Sequence, residues 1–140
     1  MAKRQDIELL LRVVTQFVEK QLTPAGILPF GAALGSKRDV KLLLPKTMKP
    51  DAQMHELDAY WKQELAKPIA AGGCKAVCYC VDLRVTDLGE ATQSPVVFIH
   101  IEDSQGCAED VLYAYQFAND SKVILGEPCV EKSDQRIFSS

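Results

Sequence analysis

Little in this chain announces chemistry. Its 140 residues hold two histidines, His55 and His100, and one tryptophan, Trp61. No phosphate loop, nucleophile motif or complete set of metal ligands is present, so neither an activity nor a cofactor can be read from a motif. His55 sits beside Glu56 with no His or Cys at a fixed chelating step, so no metal site is expected. Charge of one sign is not in surplus: the formal charge is -3, with no basic stripe and no acidic tail, which disfavours nucleic acid as the main partner. No apolar run approaches the roughly 20 residues of a membrane span. The first 25 residues interleave Glu8, Arg12, Glu19 and Lys20, unlike the unbroken apolar stretch of a signal peptide. A cytoplasmic protein away from membranes is the expectation. The five cysteines, at 74, 78, 80, 107 and 129, are an odd number and fit free thiols used as small apolar side chains.

What is present is periodicity. Over residues 5–21, Ile7, Leu10, Leu11, Val14, Phe17 and Val18 recur at steps of three and four, predicting a helix with one core face that ends at Thr23-Pro24. The segment Gly26-Ile27-Leu28-Pro29-Phe30-Gly31-Ala32 suits a tight helix-to-strand crossing with a buried ring. Two short strands, 27–35 and 39–44, follow around a Gly35-Ser36-Lys37-Arg38 turn, and 45–50 reads as a loop. Asp51 caps a second helix carrying Met54, Leu57, Trp61 and Leu65; Pro68 kinks or ends it, and Gly72-Gly73 stop it. The period then changes to two. Strands are expected from Cys74 to Val85, over 96–102, from the Asp103-Ser104-Gln105-Gly106 turn to Phe117, and near 122–131, with a loop through Asp87, Gly89 and Pro95.

The length suits one core, so residues 1–140 form a single α+β domain: helix, two strands, helix, three to four strands. Short connections make the sheet largely antiparallel, with the helices on one face. By element order alone this is analogous to roadblock-like and profilin-like domains.

If Val97, Ile99 and Ile101 share a buried face with Val81, Leu83 and Val85, then residue 83 pairs with 99 and 81 with 101. Asp82 then lies opposite His100, Cys80 faces Glu102 and Arg84 faces Phe98. A carboxylate orienting an imidazole beside a thiol and a second carboxylate would suit general-base or nucleophilic chemistry. The plainer reading is a cross-strand polar pair on a half-wet face. Cys74, Cys78 and Cys80 leave one side of a strand, with Cys74 and Cys78 roughly 13 Å apart at about 3.3 Å per residue, too far to chelate. Tyr113, Tyr115 and Phe117 alternate along a strand without interleaved Lys or Arg, which favours core or subunit packing over base stacking. The Gln135-Arg136-Ile137-Phe138 tail is expected to dock its two apolar residues on the sheet or on a neighbour.

The segments Gly26-x-Leu28-Pro29-Phe30-Gly31-Ala32, Cys74-Lys75-Ala76-Val77 after Gly72-Gly73, Ile101-Glu102-x-x-x-Gly106 and Val111-x-x-x-Tyr115 resemble a widespread family of small uncharacterised bacterial proteins. The resemblance spans most of the chain and is carried by turns, a strand start and a hairpin. It implies no activity. Asp103 stands where that pattern has His and Ala114 where it has Pro, which argues against a fixed catalytic set in the hairpin.

Three functional readings follow. The first is a non-enzymatic association module acting as a homodimer through a sheet face or edge. The second is a small enzyme or redox sensor built on Asp82, His100, Glu102 and Cys80. The third is a small-ligand binder with a pocket between the second helix and the sheet, near Phe30 and Trp61.

Overall fold

A computed structural model describes residues 5–23, 27–45, 54–86, 93–120 and 122–138. The first helix, α1 (Gln5–Gln21), carries Asp6 and Glu8 in its first turn and Lys20 in its last, matching the helix dipole. Its buried stripe is Ile7, Leu10, Val14 and Val18. The second, α2 (Met54–Ala71), buries Leu57, Trp61 and Leu65, one turn apart from each other. Pro68 neither ends nor interrupts α2: it lies in the last turn, where its missing N–H removes one bond, and the helix stops at Gly72 and Gly73, both with positive φ. The capping residue expected at Asp51 and the loop through Asp87 and Gly89 lie outside the described residues.

Seven strands complete the chain: β1 (Phe30–Gly35), β2 (Val40–Leu43), β3 (Cys74–Thr86), β4 (Gln93–Asp103), β5 (Ala108–Phe117), β6 (Val123–Leu125) and β7 (Cys129–Lys132). They form one antiparallel sheet in the order β2-β1-β3-β4-β5-β6, with β7 also on β5. The last expected strand is therefore two pieces on one edge. β6 pairs Tyr115 with Leu125, β7 pairs Val111 with Val130, and the register steps by one residue across Gly126-Glu127-Pro128. Pro95, expected in a loop, lies inside β4. The α+β class and the antiparallel sheet stand, while the strand count and the roadblock and profilin topology differ in detail.

The helices do not share a face. Under α1 lie Phe30, Ala32, Leu34, Ala76, Cys78, Cys80, Val97, Ile99, Ile101, Val111 and Tyr115. Under α2 lie Ala33, Val77, Tyr79, Val81 and Ile137. Consecutive residues of β1 and β3 are therefore buried, the mark of strands covered on both sides. Tyr113, Tyr115 and Phe117 belong to the α1 core, Tyr115 fully and the others in part. Among the described residues, no helix is long and apolar enough to cross a membrane.

This layering overturns the expected register. Tyr79 pairs with His100 and Asp82 with Val97, an odd step away from an 82-to-100 pairing, so Asp82 and His100 leave opposite faces. Likewise Cys80 pairs with Ile99 rather than Glu102, and residue 84 pairs with 95 rather than 98. Cys78 and Cys80 are free and buried, as expected of small apolar side chains, and lie opposite Ile101 and Ile99 under α1, so Cys80 does not share a half-wet face with Glu102.

Gly31 shows how closely α2 sits on the sheet. A Cβ there would lie 2.8 Å from Trp61 Cζ3 and 2.9 Å from Cε3, so the indole packs on bare backbone. Gly31→Ala should therefore destabilise the fold by about 1–3 kcal/mol. In urea denaturation, Trp61→Phe, which removes the clashing ring, should recover part of that loss in the double variant.

Candidate functional site

The α2 face of the sheet holds a polar cluster at its centre. His100 and Glu102, two apart on β4, point to the same side, and both are fully buried. The tight turn at 103–106 fixes the β4–β5 hairpin: Asp103 Oδ1 accepts the N–H of Gln105 at 3.0 Å and of Cys107 at 2.9 Å, and Gly106 takes φ +99°. That turn sets Asp110 directly opposite His100. The imidazole is held from both ends, with Nδ1 2.7 Å from Asp110 Oδ1 and Nε2 2.6 Å from Glu102 Oε2.

The outer wall comes from α2 and from the segment after β7. Asp58 Oδ1 accepts from the Tyr79 hydroxyl and, at 2.7 Å, from Arg136 Nη1. Arg136 Nη2 lies 3.7 Å from Asp110 Oδ1. The Glu102 carboxylate receives three successive backbone N–H groups, those of Arg136 at 2.8 Å and of Ile137 and Phe138 at 3.1 Å. Ile137 is buried behind them against the α2 core, so the tail docks on its own sheet.

Burial pushes the Glu102 carboxyl upward, but the bonds from His100 and from the three main-chain N–H groups outweigh it, and the group titrates below its ordinary value of 4.5. Burial, then the bond to Asp58 and its charge, hold the Tyr79 phenol well above its usual range, so it remains a donor.

This arrangement constrains the chemistry. Two carboxylates accept from both nitrogens only if the ring, or a ring and carboxyl together, supplies two protons. With both nitrogens engaged, His100 has no lone pair free to take a substrate proton or to bind a metal. Among the described residues, no group of three or more His, Cys, Asp or Glu is placed to hold a metal ion.

Of the residues expected to form a site, His100 and Glu102 meet, while Asp82 and Cys80 do not join them. Asp82 is on the α1 side, where its Oδ1 accepts from the Tyr115 hydroxyl at 2.7 Å. Cys80 is buried under α1, and burial, then Cys78 and Asp82, hold its thiol far above the range of reactive cysteines. Phe30 and Trp61 lie in separate cores, on opposite sides of β1: Phe30 stacks edge-on with Phe17 at 4.9 Å, whereas Trp61 packs on Gly31. Asp58, Tyr79, Asp110 and Arg136 were missing from the expected set. Asp110 was within reach, because the Asp103–Gly106 turn alone pairs residue 100 with 110.

Three outcomes are expected. Since the Glu102 carboxyl titrates below its ordinary value when folded, its contribution is complete above 4.5 and is lost as the pH falls through the depressed value. Stability measured by urea denaturation should therefore drop below pH 4.5 in the unmodified chain, and Glu102→Gln should remove much of that pH dependence. Glu102→Ala, which strands His100 and the three amides, should cost about 3–5 kcal/mol at neutral pH. In native thiol labelling, exposed Cys129 should react first, with Cys78 and Cys80 reacting only on unfolding. Compared with known proteins, the chain matches no family model, no curated protein and no solved structure.

Proposed function

We propose that this chain is a non-enzymatic, cytosolic association module that pairs with a second copy through the open edge of its sheet at β2. The observation that carries the reading is the placement of exposed apolar side chains. Leu42 and Leu44 are 37% and 68% exposed, on and just after β2, and Leu28, 75% exposed, precedes β1, the strand that β2 pairs with. The α1 and α2 cores cover both faces of the central strands β1, β3 and β4, which directs a partner to an edge; Ile124 and Val130, 48% and 46% exposed, lie on the short strands β6 and β7 of the other edge. The outer edge of β2, which pairs with no further strand among the described residues, offers backbone donors and acceptors beside these leucines. The chemistry of the polar cluster points the same way, since its histidine is saturated by carboxylates.

A stable pair would bury at least on the order of 1,000 Å² in total. Light scattering at micromolar concentration should return twice the 15.5 kDa chain mass. Leu42→Glu with Leu44→Glu should return a single chain mass with unchanged circular dichroism. A monomer mass for the unmodified chain would overturn the reading.

A further inference from the structure

Ser133 still donates its N–H to the Ala108 carbonyl at 3.0 Å; beyond it the chain leaves the strand ladder and packs between α2 and β3–β5. The way this segment is held resembles the recognition of a peptide. Glu102 reads only its main chain, taking three consecutive N–H groups, and the Gln135 side chain donates to the Asp103 carbonyl at 2.6 Å. Side chains are read separately. Arg136 reaches Asp58 at 2.7 Å beside Asp110, and Ile137, 3% exposed, enters the apolar wall of the α2 core with Phe138 packed alongside. Main-chain bonds for affinity and separate pockets for side chains are the two components of a peptide site. The groove's charge, from Asp58, Glu102 and Asp110, complements an arginine.

We propose that this groove is a docking site for a segment of the form Arg followed by two apolar residues, and that residues 133–138 are its resident occupant, exchangeable for the same segment of a second copy. The inference goes beyond the edge-pairing reading and does not rest on it, because β7 and the segment after it lie on the far side of the sheet from β2. Complementarity in trans is assured because the two segments are identical. An exchanged segment would make every bond that the resident one makes, so exchange depends only on how readily the resident segment opens.

The test uses the full chain carrying Arg136→Gly and Ile137→Asp, which weaken the resident segment and change no residue of α2 or β3–β5, with a labelled, capped peptide of residues 133–138 as probe. Fluorescence anisotropy should show the peptide binding this variant at least tenfold more tightly than the unmodified chain, whose own segment competes. Adding Asp58→Asn should weaken that binding at least fivefold. Equal binding to the two chains, no binding, or global unfolding of the variant would each overturn the proposal, the last because the segment would then be an inseparable part of the core. Amide exchange on the unmodified chain is a second measurement. The amides of Arg136, Ile137 and Phe138 should exchange at least tenfold faster than those of Val77 to Val81, and equal rates would overturn the proposal. Failure of edge pairing changes the light-scattering mass and leaves peptide binding in place, so the two readings fail separately.

Discussion

The structure depends on how one buried carboxylate is compensated. Glu102 lies in the middle of the sheet with no exposure to water, where an unpaired charge would cost several kcal/mol. Its partners are His100 on its own strand and three amides more than thirty residues further along the chain. The α2 face is therefore not electrostatically complete until residues 136–138 have arrived. Asp110 and Asp58 extend the dependence, since Asp110 bonds His100 and both carboxylates lie against the Arg136 guanidinium. Remote segments are held together here by charge and by main-chain amides as much as by apolar area.

The second constraint is that both faces of the central strands are covered. Residues 76 to 81 of β3 are all buried, so successive side chains serve different cores. The α1 side takes the small residues Ala76, Cys78 and Cys80 opposite large Ile101 and Ile99, while the α2 side takes Val77, Tyr79 and Val81 with the polar cluster. Size alternates on one side and polarity is concentrated on the other. Trp61 against Gly31 follows the same logic, the largest ring in the chain lying on the smallest residue.

That arrangement explains what could be read from the sequence. The helices were legible because Ile7, Leu10, Val14 and Val18, and then Leu57, Trp61 and Leu65, keep helical spacing over several turns. The antiparallel hairpins were legible from Gly35–Arg38 and Asp103–Gly106, whose turn chemistry is local. The β3–β4 register was not. It was chosen to keep one apolar face and one wet face, and when both faces are buried, alternation no longer distinguishes an even step from an odd one. In the sequence, the stretch between these strands carries no short turn signal of the kind at 103–106 that would set the pairing. The same error separated His100 from its true neighbours. Arg136 and Asp58 could not be matched from sequence, because nothing local ties the last turn of the chain to the second helix.

The two edges of the sheet are unlike, and that has a consequence for how copies can grow together. On one side β2 is a continuous strand. On the other, the ladder steps by one residue between β6 and β7, across a proline that has no N–H to offer. Among the described residues, the uninterrupted edge strand is therefore β2. Head-to-tail stacking, which would extend into an open fibre, needs two complementary edges and is disfavoured here. A pair made through β2 alone would use that edge on both copies and close on itself.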